Sequence, residues 1–254
     1  MADGCLNFDT NINKEGFEKG LKSLSDMVGD IKPKLKSLAM AVTAAFSVKK
    51  LVDFGRQSIE TASDLAEVQN VVDTAFGESK QKMEDFADTA VKTYGISKLT
   101  AKQTGSNFMA MAAGMGLAND SASDMAMALT GLSADMASFY NVGQDVASTA
   151  LKSIFTGETE TLKQFGIVMT DANLQAYALS KGITKSTADM SQAEKVQLRY
   201  NYVMSQTALA QGDFAKTSDS WANQTRILSE QWKEFGATIG TCLLYTSDAA
   251  DDRI

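Results

Sequence analysis

Few groups in this 254-residue chain have the residue types and spacing that chemistry needs. Asp9-x-Asn11-x-Asn13 matches the front half of a calcium-binding loop. Such a loop needs glycine at its sixth position for a sharp turn and glutamate at its twelfth for bidentate ligation. Lys14 and Gly20 stand there instead, so calcium binding is not expected. Gly114-Met-Gly116 begins a dinucleotide fingerprint, but no third glycine follows and no strand pattern precedes it. Glu158 and Glu160 come nearest to a carboxylate pair. Two residues apart on a helix they face different ways and read as surface charge at a helix start. The chain has 0 His, which removes Ser-His-Asp and Cys-His triads, histidine general bases and His-ligated metals. Cys5 and Cys242 lie at opposite ends, too few for a disulfide framework or a four-cysteine zinc site. No catalytic, cofactor-binding or metal-ligating residue is assigned, no cofactor is expected, and the chain does not read as an enzyme.

Methionine is the other residue with a possible role. Met109, Met111, Met115, Met125, Met127 and Met136 form a dense group. Methionine adapts to irregular surfaces, so a promiscuous groove and a loosely specified core are both open, and the core is the commoner outcome. Trp221 and Trp232 are eleven residues apart on one apolar seam and read as core or partner packing rather than a ligand cage.

The elements that carry these residues are helical. The length suits one large domain or two small ones, and 44% of residues are hydrophobic, which excludes wholesale disorder. Pro33 is the only proline, so little interrupts helix formation, and the expected fold class is all-α with little or no sheet. Lys and Arg number 24 against 31 Asp and Glu, a net charge of -7, which argues against nucleic-acid binding by bulk charge. No repeat of fixed period supports a solenoid.

Residues 5 to 12 alternate apolar and polar and suit a short strand. From Phe17 through Leu21, Leu24, Val28, Ile31, Leu35, Leu38 and Val42 to Ala45 the apolar spacing is 4 and 3 in turn, a heptad seam. Pro33 either kinks that helix or opens a new one. The seam resumes as Leu51, Phe54, Ser58, Thr61, Leu65, Val68, Val72 and Ala75. Gly77 then ends the helix, and further helices are predicted over 78–94, 99–116, 125–140, 145–155 and 172–180, with a short one ending at Phe165. Ser121-x-x-Asp124 suits a loose capping box and Ser191-x-x-Glu194 a full one. The last seam is Phe214, Ser218, Trp221, Thr225, Leu228, Trp232, Phe235 and Ile239, with no stop signal before Gly240.

Charge is uneven along the chain. No Lys or Arg lies between Lys102 and Lys152, a stretch holding Asp120, Asp124, Asp135 and Asp145, while residues 31–50 carry five lysines and no acid. A packed helical middle beside a solvated basic helix accounts for both; docking of the basic helix on an acidic partner is the sharper alternative. Met1 to Asn13 has neither a basic region nor an apolar run and does not read as a secretory signal. The apolar run at 38–48 follows three lysines but has about half the roughly 20 residues of a membrane span. It reads as a buried or partner-facing helix, with membrane contact as the alternative.

Residues 242–254 break the preceding seam without helical periodicity and look like translated sequencing-adapter DNA, which implies that the natural chain continues past Thr241. The organisation expected is therefore an N-terminal extended segment plus long helices at 1–76, a multi-helix region at 77–212, the start of a long coiled-coil-like helix at 213–241, and the tail at 242–254.

The stretch Gly131-Leu-Ser-Ala-Asp-Met-Ala-Ser-Phe-Tyr140 and then Thr149-Ala-Leu-Lys-Ser-Ile-Phe-Thr-Gly-Glu-Thr-Glu-Thr-Leu-Lys-Gln-Phe-Gly-Ile-Val168 resembles the tail tape measure proteins of long-tailed bacteriophages and prophages. Gln192-Ala-Glu-Lys-Val-Gln-Leu-Arg-Tyr200 and Ser220-Trp-Ala-Asn-Gln-Thr-Arg226 extend the resemblance, and Leu6-x-Phe8-Asp-Thr10 with Gly16-Phe-x-x-Gly-Leu21 looks like the usual opening of such proteins. The resemblance covers residues 1–241. It implies an elongated helical structural protein in the tail-tube lumen of the virion, made in the host cytoplasm. It further implies that the protein sets tail length and leaves ahead of the DNA. Tail assembly chaperones, the tail tube protein and distal tail proteins are the implied partners, with self-association and host-membrane contact possible and no specific nucleic-acid binding. Family members are far longer, and the family carries no catalytic residues here. A helix rises 1.5 Å per residue, so 241 residues would span about 360 Å fully extended. The alternative function is a membrane-active or pore-forming helical protein.

Overall fold

The computed structural model of the protein describes residues 48–251. Residues Gly55–Ile254 belong to one compact unit. The elements in chain order are α1 (Val48–Phe76), a 3-10 turn (Gly77–Ser79), α2 (Lys80–Tyr94), α3 (Lys98–Gly114), α4 (Asn119–Phe139), α5 (Gln144–Leu151), α6 (Ser153–Thr156), α7 (Glu160–Lys163), α8 (Asp171–Ser180), a 3-10 turn (Thr187–Asp189), α9 (Gln192–Gln206), α10 (Asp213–Lys216) and α11 (Trp221–Asp251). The fold is all-α, with no strand among the described residues. The predicted strand at 5–12, the seam from Phe17 to Ala45, Pro33, the calcium-like Asp9–Asn13 and nearly all of the basic stretch 31–50 lie outside the described residues.

α4 is the centre. From Ala122 to Ala137 it is buried almost all round, as expected of a helix with no polar face. Its small residues let α2, α3, α5 and α10 approach closely. Two of the hydroxyls this buries are satisfied locally, Thr130 donating to the Ala126 carbonyl at 2.7 Å and Ser133 to the Thr130 carbonyl at 2.7 Å, whereas the Ser123 hydroxyl is buried without a hydrogen-bond partner. Phe108 of α3 stacks on Phe155 of α6 with centroids 6.1 Å apart, and both are buried. Met109, Met125 and Met136 are buried here, and Met111, Met115 and Met127 pack against the core, so the methionine group is core.

α1 and α11 are the long helices, of 29 and 31 residues. They cross where Ser58 and Ala62 of α1 meet Ala237 and Gly240 of α11, all buried. A Cβ on Gly240 would collide with the Ser58 carbonyl oxygen and lie 3.0 Å from the Ala62 methyl, so only glycine permits this crossing. The inward positions of α1 are the predicted seam: Ser58 and Val72 are buried, and Thr61, Leu65, Val68 and Ala75 are half-buried.

Several expected boundaries differ. Helix 125–140 begins earlier, at Asn119, so Ser121 and Asp124 lie inside α4 and form no capping box. Asn119 instead ties down the end of α1: its amide donates to the Phe76 carbonyl at 3.0 Å and its oxygen accepts from Ser79 at 2.6 Å. Helix 145–155 is two helices, α5 and α6, broken at Lys152. The final seam is not one helix either. Ser220 caps α11, its hydroxyl accepting from Asn223 N–H at 3.3 Å, while the Asn223 amide donates to the Thr217 carbonyl at 3.1 Å. Phe214 is left on α10, wholly buried, apart from the rest of its seam. Residues 242–251 were expected to lack helical structure; α11 runs through them to Asp251. That stretch has Leu243, Leu244, Ala249 and Ala250 and neither glycine nor proline, so an established helix propagates through it at little cost.

Candidate functional site

The groups that looked nearest to chemistry serve the fold. Gly114 ends α3, and Gly116, at φ 86°, turns the chain so that Leu117 N–H returns to the Ala112 carbonyl at 3.2 Å. Glu160 pairs with Lys163 at 2.6 Å on the surface, and Glu158 does not join it. Cys242 is exposed with a free thiol. No group of three or more His, Cys, Asp or Glu that could hold a metal ion occurs among the described residues.

Three polar fixtures that the spacing did not single out hold the body. Lys102 of α3 is buried and pairs with Glu84 of α2 at 2.7 Å, and its ammonium also donates to the side-chain amide oxygen (Oε1) of Gln69 on α1 at 2.5 Å. Gln69 closes the triangle by donating to Glu84 at 2.8 Å. A lone ammonium at this depth would be strongly destabilising, so these partners fix where the three helices meet. Asp135 of α4 is 5% exposed and accepts two backbone N–H groups, Gly212 at 2.7 Å and Phe214 at 3.2 Å. Burial pushes its carboxyl pKa above the usual range, and the two N–H donors hold it back only partly. Burial, aided by the Asp135 charge, also raises the Tyr94 phenol. Lys82 of α2 reaches Asp120 at 2.5 Å and Asp124 at 2.8 Å, which occupies two of the four acids in the lysine-free stretch.

One fixture was legible. Ser191 accepts from Glu194 N–H at 3.2 Å, and Glu194 accepts from Ser191 N–H at 2.7 Å, the full capping box at the start of α9. Lys185 bonds the same carboxylate at 2.7 Å and, with the Ser191 donors, lowers its pKa to about 2.

The feature with most functional content is the orientation of α11. Trp221, Leu228, Trp232 and Phe235 are 87%, 66%, 60% and 52% exposed. The Trp232 and Phe235 rings lie 5.6 Å apart on this outer face. The side of α11 turned to the body is polar or small. Glu234 accepts the Lys98 N–H at the start of α3 at 3.0 Å, Asn223 binds Thr217, and Ala237 and Gly240 sit against α1. Arg226 lies over the Phe214 ring, 5.9 Å from its centroid. Large apolar side chains would not fit the close crossing at Gly240, so the helix docks by its small face and presents its large one. A cavity of about 450 Å³ lies between α1, the start of α3 and α11, walled by Thr61, Leu65, Leu99 and Thr238, and Phe235 reaches it from the exposed face. The chemistry available here is apolar contact with another macromolecule.

No protein-family model, no curated protein and no solved structure matches the chain.

Proposed function

We propose that the chain is a structural protein of a phage tail, a tail tape measure protein that lies in the tube lumen and helps set tail length. The observation that carries this reading is the sequence block Gly131–Tyr140 with Thr149–Val168, which resembles that family across α4 to α7. Two structural features support it. The described residues are built from helices, and α11 offers a long apolar face of the kind an assembling tail covers. Tail assembly chaperones in the host cytoplasm, then the tube and distal tail proteins, are the partners this reading assigns.

From Gly55 onward the helices fold back within one compact unit, so in this state that body does not add 1.5 Å per residue to an end-to-end length. The length-setting state under this proposal is an unpacked one, held by tube contacts in place of the body's own. The alternative of a membrane-active protein rests on residues 38–48, nearly all outside the described residues, and no described helix is long and apolar enough to cross a membrane.

The test is made on particles whose genome encodes the chain. Mass spectrometry of purified tails is expected to find its peptides, and an in-frame duplication in its gene is expected to lengthen the tail by about 1.5 Å per added residue. Tails that lack the peptides, or that keep their length, contradict the proposal. Leakage from lipid vesicles at low protein concentration turns the reading toward the membrane alternative.

A further inference from the structure

We infer that the cavity between the end of α4, α10 and the start of α11 is a binding site for a carboxylate group carried on an apolar body, with Arg226 as the group that receives it. The inference does not depend on the tail reading; it follows from one unpaired arginine and the walls around it.

The cavity has a volume of about 480 Å³. That lies within the range of small-ligand pockets. Phe139, Asn141 and Val142 wall it from the end of α4, Asp213 from α10, and Ser220 and Arg226 from the start of α11.

Arg226 is half-buried, yet its guanidinium donates a hydrogen bond to no described residue and is ion-paired with none. An arginine has five N–H donors in a planar fork. Its contacts are the Phe214 ring, 5.9 Å from centroid to guanidinium carbon, and the field of Glu230. Glu230 is itself engaged by Lys233 at 2.6 Å. Burial disfavours the Arg226 charge, and Glu230 offsets this only in part.

The guanidinium is held ready for a ligand. Phe214 beside it is wholly buried, and its backbone N–H is bonded to Asp135. Its ring fills the space at Gly95, where a Cβ would collide with it. A platform fixed on both counts lowers the cost of ordering the arginine when a ligand arrives. A carboxylate matches the planar fork with two parallel hydrogen bonds. Two further donors line the same space. The Asn141 side-chain amide bonds no described residue, and the Ser220 hydroxyl accepts from Asn223 N–H while its own proton goes to no described residue.

Charge selects the ligand class. Asp213 lines the cavity and is ion-paired with no described residue. With Arg226 it makes the cavity neutral, so one negative charge is accepted at the guanidinium, whereas a doubly charged phosphate meets the Asp213 repulsion twice over. Phe139, 44% exposed, and Val142 form an apolar wall for the rest of the ligand. The class is therefore a monocarboxylate with an aromatic or aliphatic body, carried by a free acid or by the C-terminus of a peptide.

The full 254-residue chain is titrated at constant ionic strength and followed by ligand-observed NMR. The probes are benzoate, inorganic phosphate, and acetyl-Ala-Phe as its free acid and as its C-terminal amide. Benzoate is expected to bind with Kd of about 1–10 mM, and phosphate at least ~10-fold more weakly. The peptide amide is expected to bind at least ~10-fold more weakly than the peptide acid. A peptide acid ~10-fold or more tighter than benzoate supports the site with a chain terminus as its source; equal affinities support it with a free acid. Arg226→Gln should weaken benzoate binding ~10-fold or more, and Arg226→Lys, which keeps the charge and loses the fork, about 5-fold. Asp213→Asn should strengthen benzoate binding about 3-fold and phosphate binding more than that. The Asp213 side chain bonds no described residue, so this variant keeps the test decisive even where an Arg226 variant fails to fold. Benzoate that shows no binding up to about 50 mM overturns the inference. So does an amide that binds as tightly as the acid, a folded Arg226→Gln chain that binds benzoate as the wild type does, or an Asp213→Asn chain whose anion affinities do not change.

Discussion

α4 and α11 are both helices rich in apolar residues, and they use them in opposite ways. α4 is almost wholly buried from Ala122 to Ala137, with only Asp124 exposed, and is surrounded by α2, α3, α5 and α10. α11 sets its small and polar residues against the body and turns Trp221, Leu228, Trp232 and Phe235 outward. The first arrangement is complete in itself. The second leaves the largest apolar side chains of the helix mostly exposed, where they contribute little burial to the fold. The difference teaches that burial is divided unevenly within this chain: the middle makes the fold, and the outer face of the last helix adds little to it.

The largest effect is expected in the middle. Phe108 is wholly buried and stacked on Phe155, so Phe108→Ala should cost about 3–5 kcal/mol in chemical denaturation and lower the thermal midpoint sharply. A loss under about 1 kcal/mol would break the comparison from the core side. Next comes the buried lysine. Glu84→Ala leaves Lys102 without its carboxylate in an interior site and should cost about 2–3 kcal/mol, whereas Lys102→Met, which removes the charge itself, should cost less. The order of the two reverses if the pair is a dispensable surface contact.

Smaller effects fall at the α9 cap. Ser191→Ala should cost about 1 kcal/mol, read in the same denaturation experiment. The partner carboxylate gives a pH signature. The folded-state pKa of Glu194 is lowered from 4.5 to about 2, so its contribution is present above pH 4.5 and is lost as pH falls toward 2. Glu194→Gln should therefore flatten the acid side of the stability profile in that window and leave the neutral side nearly parallel to the wild type. Asp135 has the opposite sign. Its folded pKa is raised, so its contribution to stability grows as pH falls from neutral toward the carboxylate range. The smallest effect belongs to the outer face: Trp221→Gln should change the stability of the chain by less than about 0.5 kcal/mol.

Much of the fold could be read from the chain directly. One proline and sustained helical spacing predict an all-α protein, and Ser191 with Glu194 announces the start of α9 without ambiguity. The early start of α4 could not be read, because Asn119 is used for a long-range tie to Phe76 and Ser79 that local patterns do not encode. The break between α10 and α11 escaped notice for a related reason. Apolar spacing runs straight through it, and the stop comes from Ser220 acting as a cap. The direction of the α11 face lay beyond periodicity altogether. Spacing identifies an apolar side of a helix, but what decides where that side points is the close approach at Gly240 and the Glu234 contact to Lys98. Asp135 carried a faint signal, an acid set inside an apolar run with no nearby cation, which marks a carboxylate serving backbone donors rather than solvent.

A single pair of substitutions tests the division between core and outer face most directly, because it makes the same chemical change in both places. Leu129 is wholly buried on α4 and Leu228 is 66% exposed on α11. Each is changed to alanine and unfolded in denaturant. The account predicts a loss of about 3 kcal/mol for Leu129→Ala and less than about 0.5 kcal/mol for Leu228→Ala. Equal losses at the two positions would mean that the α11 face is packed in the folded chain, and would contradict it.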